Sequence, residues 1–345
     1  MSSVRRLRSL AGIAATALAL AVAAGPAAAA GLPLPAEDSP SGVLAPGGVN
    51  RYLTVTLGGR TAVLAQRAAG GAVTGRVVLR GRFGVPLVAY DSTPGGVSGN
   101  GRTLVLIRPR TRFPRRDTTL AVMSLKPNLR LRRIVRLPGD FSYDALSPDG
   151  RSLYLINYLS RTDPTKYRVR VFDLARNRLE PQPVVDPREP PDEMNGLAVT
   201  RLSSPDGRWA YTLYDGAGKH PFIHALDTRD RRAFCIDLDG AAFAGADTYE
   251  LRLVLARAGR RIDIRGRGAL VASVDTRTFR VRDGAAARAA AASPAGGGGG
   301  PGLLWPLLGA GLLGTALLGL RRRNARERLE APPAEELTFT VRETS

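Results

Sequence analysis

A single cysteine, Cys235, stands in a chain of 345 residues, so no disulfide forms within it and the fold rests on packing and hydrogen bonding. Histidine is almost as scarce. His220 and His224 lie four apart, a zinc spacing on a helix, but the proline in "KHPFIH" makes that stretch a loop entering a strand. Ser-His-Asp and Cys-His nucleophile arrangements therefore have little material, and no Gly-x-Ser-x-Gly elbow occurs. The glycine run "GGGGGPG" reads as a linker, not as a phosphate loop. No catalytic residue, metal ligand or cofactor is assigned, and any enzyme activity has to rest on carboxylates. Residues 50 to 283 also lack a 3.6-residue apolar period, which argues against helices throughout that region.

Long apolar runs are confined to the two ends. Arg5, Arg6 and Arg8 precede an apolar run from Leu10 to Ala24 and then "GPAAAAG", the order of a secretory signal, with cleavage expected after Ala30. Gly302 to Leu320 is 19 residues without a charge. At about 1.5 Å per residue such a run crosses a bilayer. Arg321, Arg322, Arg323, Arg326 and Arg328 follow it, which puts the C-terminal tail in the cytoplasm and the preceding domain outside. The expected organisation is a signal peptide over 1–30 and a Pro-rich leader over 31–46. An ectodomain over 47–283, an Ala/Gly linker over 284–301, a membrane helix over 302–320 and a tail over 321–345 complete it.

Charge of one sign dominates. The formal net charge is +20, and only three of the 50 basic residues are lysine, a pattern to which genomic composition contributes. A surface this basic attracts anionic polymers, which outside a membrane means wall phosphates and carboxylates. Nucleic acid is not the expected partner, because no aromatic-interleaved basic stripe or reading helix is present. An envelope protein or an anionic wall polymer is expected instead, with the membrane engaged through the C-terminal helix.

The ectodomain repeats. A glycine followed by arginine and an apolar strand recurs at Gly59 ("GGRTAVLAQ"), Gly101 ("GNGRTLVLI"), Gly150 ("SPDGRSLYLI"), Gly207 ("SPDGRWAYTL") and Gly259 ("RAGRRIDI"), at spacings of 42, 49, 57 and 52. Each unit has an apolar segment before the glycine, such as "VPLVAYDST" or "FSYDALS". In three units the third strand closes on an aspartate, Asp173, Asp227 or Asp275, placed to hydrogen-bond a turn backbone. Asp149-Gly150 and Asp206-Gly207 belong to tight turns in which glycine supplies positive φ. Four short strands per unit predict an all-β chain, a β-propeller of about five four-stranded blades, or six if the N-terminal part adds a strand set. The stretch "SPDGRSLYLI…VRVFDLARNRL" resembles the blade repeat of TolB-like and YVTN-type propellers. That resemblance implies envelope protein binding for the first group and, for some of the second, lactone hydrolysis or cofactor-linked chemistry. No catalytic residue of those enzymes maps onto a motif here.

Two contact regions are expected. Tyr90-Asp91, Tyr143-Asp144 and Tyr249-Glu250 each fall at the entry of a first, innermost strand, where three aromatic-acid pairs would ring the channel and hold a cation or a cationic group. Arg110, Arg112, Arg115 and Arg116 lie in one variable loop, spaced as forks for phosphate or carboxylate. The expected function is a membrane-anchored binding module outside the cell. The competing reading is an envelope hydrolase, lactonase-like or glycan-directed, that uses channel carboxylates.

Overall fold

Short runs of β-branched and aromatic residues, each cut off by a Gly, Asp or Asn turn, set the architecture. The computed structural model describes residues 41–188 and 194–284. The expected signal peptide, membrane helix and tail lie outside them, and no helix among the described residues is long and apolar enough to cross a membrane. The first sheet holds β1 (Val43–Leu44), β2 (Asn50–Leu57), β3 (Arg60–Arg67) and β4 (Val73–Arg80). The second holds β5 (Thr103–Ile107), β6 (Asp117–Ser124) and β7 (Arg130–Pro138). The third holds β8 (Phe141–Leu146), β9 (Ser152–Tyr158), β10 (Tyr167–Asp173) and β11 (Arg178–Val184). The fourth comprises β12 (Ala198–Ser203), β13 (Trp209–Tyr214), β14 (Phe222–Asp227) and β15 (Arg232–Asp237). The fifth comprises β16 (Leu251–Ala256), β17 (Arg261–Gly266), β18 (Ala269–Asp275) and β19 (Val281–Asp283).

Every sheet is an antiparallel meander in chain order, the topology of propeller blades. Each pair of successive sheets shares an apolar cluster. Tyr52 and Val63 meet Leu104 and Met123, Val122 and Val135 meet Leu153 and Leu155, Val169 and Val171 meet Ala210 and Leu226, and Leu213 and Ile223 meet Ile262 and Ile264. Among the described residues no such cluster joins the fifth sheet to the first.

Two expectations need correction. The first sheet begins at Val43, inside the segment expected as leader, and its two-residue β1 lies with β8 and β12 on a common central cavity. Gly58-Gly59 therefore turns the second strand into the third, and the inner turn of this sheet is "APGGVN". Counted from Gly48, the first spacing becomes 53, closer to the other three than the expected 42. In the second sheet "VPLVAYDST" is not an innermost strand. Gly84 and Val97 pair separately with Ile107 and Leu104, and the residues between them fold into a tight hairpin, Leu87 opposite Pro94. Pro86 and Pro94, which cannot donate to a ladder, break the strand. The hairpin reaches past the third sheet, where its tip donates from the Tyr90 and Asp91 amides to the Ala198 and Val199 carbonyls.

The turns follow one chemistry. Asp149 Oδ1 accepts from the Ser147 hydroxyl and the Arg151 amide, and Asp206 does the same with Ser204 and Arg208. Asn100 repeats the arrangement with Ser98 and Arg102 in the second sheet. Asp173, Asp227 and Asp275 each accept two backbone amides of the following turn. The pKa of all three lies below the ordinary aspartate value. Backbone hydrogen bonds are the main cause at Asp173 and Asp275, whereas at Asp227 burial opposes the shift and the Arg208 and backbone bonds outweigh it. A depressed folded-state pKa gives stability that is present above the unfolded value of about 3.9 and is lost as pH falls through the folded value. Unfolding midpoints measured from pH 6 down to pH 2 should hold to about pH 4 and drop below it, and an Asp227→Asn chain should show a smaller drop.

Gly150 has φ of 71°, and a Cβ there would stand 2.6 Å from Thr103 Oγ1; Gly47 has φ of 85° with open space around it. Gly47→Ala should cost about 1–2 kcal/mol, the left-handed penalty alone, and Gly150→Ala about 1–3 kcal/mol more. Urea unfolding of the two variants reads the difference.

Candidate functional site

The innermost strands of the third and fourth sheets each place one charge in an apolar alternation, Asp144 on β8 and Arg201 on β12. The two are 57 residues apart, the same interval that separates Gly150 from Gly207. Both are buried, with side-chain exposures of 1% and 6%, and they are in direct contact through Arg201 Nη2 and Asp144 Oδ1. Arg201 also donates to the Asp144 carbonyl at 2.9 Å and to Thr212 Oγ1 at 2.5 Å. Burial alone would lower the Arg201 pKa, but the Asp144 carboxylate outweighs it and the pKa is raised. The pair lines a cavity of about 300 Å³ at the centre of the sheets, with Val43, Gly95 and Tyr143 among the walls.

The three aromatic-acid pairs do not form a ring of free acids. Tyr143 is buried on β8, its hydroxyl pushed well above the ordinary tyrosine range by desolvation, and a Cβ on Gly95 would fall 2.6 Å from its ring. Gly95 precedes Asp144 by 49 residues, one repeat, so the position that carries a carboxylate in the third sheet is bare in the second. Tyr90 and Tyr249 do meet, edge to face with ring centroids 4.9 Å apart, and the Tyr249 hydroxyl donates to Asp215 Oδ2 at 2.8 Å. Asp91 caps its own turn by accepting from Thr93. Glu250 lies in a short 3-10 turn, Thr248–Glu250, and pairs with Arg267 at 2.6 Å. Each acid is thus engaged by its own chain.

The arginine loop divides in two. Arg110 and Arg115 turn inward onto Asp140, whose side chain is 2% exposed. Arg110 donates to Asp140 Oδ1 at 2.7 Å and to Ser142 Oγ at 2.9 Å, and its guanidinium lies 4.9 Å from the Tyr158 ring centroid. Arg115 donates from Nε to the same carboxylate at 3.1 Å, from its amide at 2.9 Å, and from Nη2 to the Phe141 carbonyl. Burial and the neighbouring Arg110 charge bring the Arg115 pKa down to about 10 against the pull of Asp140. Arg112 and Arg116 are exposed. The loop is therefore a braced platform that offers two arginines, not four.

The two histidines are separate in role. His224 on β14 is buried and held neutral by desolvation, its pKa brought to about 4, while His220 precedes the strand, 3.8 Å from Asp237. Both line a second cavity of about 370 Å³ between the third and fourth sheets.

Residues that sequence reasoning missed are the partners: Asp140, Arg201 and Asp215. Arg201 had a signal, since a lone arginine in "LAVTRLS" interrupts an inner strand one repeat away from Asp144.

No protein-family model matches the sequence, and no curated protein does. Solved structures give a distant likeness. The Cps50 (Swd1) β-propeller domain of Myceliophteria thermophila is 10% identical, over 73% of this chain and 74% of that one, with a TM-score of 0.43. TolB from Acinetobacter baumannii is 13% identical, over 69% of this chain and 54% of its own, with a TM-score of 0.34. The acylaminoacyl peptidase of Pyrococcus horikoshii is 11% identical, over 72% of this chain and 38% of its own, with a TM-score of 0.43. The neighbours are β-propeller proteins of varied roles.

Replacing Asp140 leaves two buried guanidinium groups without their carboxylate. Asp140→Asn should cost about 3–5 kcal/mol. Arg112→Gln should stay within about 0.5 kcal/mol of the parent. Thermal unfolding of both variants checks the contrast.

Proposed function

We propose that the chain is an extracytoplasmic, membrane-anchored binding module that recognises an anionic partner of the cell envelope. The observation that supports this reading is the braced arginine loop: Asp140 fixes Arg110 and Arg115 internally, and their fixation holds Arg112 and Arg116 out to solvent. A preorganised loop loses little conformational freedom on binding, and a planar guanidinium matches phosphate and carboxylate oxygens with paired donors. The placement outside the membrane rests on the terminal segments of the sequence, an N-terminal secretory pattern and a C-terminal apolar run followed by arginines.

The hydrolase reading finds less support. General acid catalysis by a carboxyl at neutral pH calls for a raised pKa. Among the described residues the carboxylates with a resolved shift are all lowered, and Asp144, the acid on the central cavity, is bound to Arg201.

Retention of the full chain on purified cell-wall polymer tests the proposal. Arg112→Gln with Arg116→Gln should weaken retention roughly tenfold, and equal retention would remove the loop from the interface.

A further inference from the structure

Charge is divided along the chain more sharply than composition requires. Residues 41 to 138, which form the first two sheets, carry 17 Arg and Lys against two acids, Asp91 and Asp117, whereas residues 139 to 284 carry 23 against 21. A bias toward arginine codons would enrich both halves and would not strip the acids from one of them.

Pairing follows the same division. In the third to fifth sheets Arg176, Arg208, Arg231, Arg261 and Arg267 each meet a carboxylate. In the first two sheets the outermost strands, β4 and β7, hold Arg76, Arg80, Arg130, Arg132, Arg133 and Arg136 and no acidic residue. All but Arg133 are exposed, and Arg133 donates to Asn177 Oδ1. Among the described residues none of the other five meets a carboxylate. The two strands adjoin, since a Cβ on Gly75 of β4 would lie 3.6 Å from Leu129 Cβ at the start of β7. The arginines thus form one band across two sheets.

Edge strands are commonly charged to block sheet-to-sheet pairing. The other outer strands meet that need with both signs or with proline: Pro181 and Pro183 beside Arg178 and Glu180 on β11, Arg232 and Asp237 on β15, Arg282 and Asp283 on β19. A band of one sign adds self-repulsion that edge protection does not require.

We infer that the β4/β7 band binds a linear polyanion bearing phosphate or carboxylate groups along its length. Residues on one strand rise about 3.4 Å each, so Arg130, Arg132 and Arg136 spread over roughly 20 Å of β7 and meet separated charges of an extended chain, and β4 supplies a second row. The band has no aromatic residue, which disfavours single-stranded nucleic acid, whose bases need stacking platforms, and a protein hot spot built on Trp or Tyr. This inference deepens the anionic-partner reading, shares its ligand class and lies on different residues, so the two fail separately.

The probes are inorganic polyphosphate and poly-glutamate, titrated into the full chain over a range of salt. Three variants are compared with the parent: a band variant (R76Q, R80Q, R130Q, R132Q, R136Q), a loop variant (R112Q, R116Q), and a charge-matched control (R229Q, R257Q, R277Q, R280Q, R282Q). Circular dichroism checks that each remains folded. The band variant should bind at least tenfold more weakly at 0.15 M salt, with a salt slope lower by about 3.5, as expected for roughly five lost contacts at ~0.7 each. The control should keep most of the parent's affinity and slope. Binding to polyphosphate alone identifies the ligand's groups as phosphate, and binding to both extends the class to carboxylate. The inference is overturned if neither polymer binds the parent, if the band variant binds as the parent does, or if band and control lose affinity equally. An increase in self-association of the band variant with binding unchanged would assign the arginines to edge protection and overturn it as well. Loss confined to the loop variant would leave the anionic-partner reading standing and overturn the band.

Discussion

A carboxylate buried in a protein interior needs a partner, and Asp144 sits 1% exposed where the innermost strands converge. Arg201 neutralises it from the adjacent sheet, with a second bond to the Asp144 carbonyl and a third to Thr212. That one contact ties the third and fourth sheets together at the centre, where no disulfide is available to do so. It also constrains what stands opposite. The equivalent residue of the second sheet is Gly95, whose bare backbone leaves room for the Tyr143 ring, and the proline-broken hairpin that precedes it reaches β12 through the Tyr90 and Asp91 amides. A side chain at residue 95 would push the hairpin away from Tyr143 and open the middle of the structure.

The same rule explains how the acids are used. Asp140 braces a loop, Asp144 joins two sheets, and Asp173, Asp227 and Asp275 close turns, each bound to amides or arginines of its own chain. Acids committed in this way have little capacity left for a cationic ligand. Arginine, by contrast, is in excess, and that surplus positive charge is the feature on which the proposed recognition of an anion rests.

Much of this was legible in the sequence. The Ser-Pro-Asp-Gly turns and the strand-closing aspartates were readable because a turn is decided within four or five residues, and their backbone demands select glycine and aspartate directly. The phase of the first unit was not, because Gly58-Gly59 and "APGGVN" are both adequate turns and only the long-range approach of β1 to the central cavity tells which is inner. The hairpin at Tyr90 was hidden for a similar reason: "VPLVAYDST" has strand composition, and the prolines that exclude it from a ladder also suit an edge. The fate of the four loop arginines was unreadable locally. Nothing in "RPRTRFPRRD" distinguishes Arg110 from Arg112; the distinction is made by Asp140, supplied by the link to the next sheet 30 residues on.

Pairing and position together divide the domain into two electrostatic halves. Turn aspartates supply the third to fifth sheets with local counter-charges, and those sheets hold their arginines in ion pairs such as Arg208 with Asp227 and Arg231 with Asp173. The first two sheets turn instead on Gly47-Gly48, Gly70-Gly71 and Asn100, which carry no charge. An uncharged turn chemistry is thus sufficient for the fold, and among the described residues it leaves the exposed arginines of β4 and β7 without a carboxylate partner. Exposed like charges closer than a screening length of about 8 Å at physiological salt repel one another, so the first two sheets are held against that repulsion by their apolar faces. On the proposed reading, stability and anion binding are consequently coupled: a polyanion that supplies the missing charge relieves the repulsion as it binds.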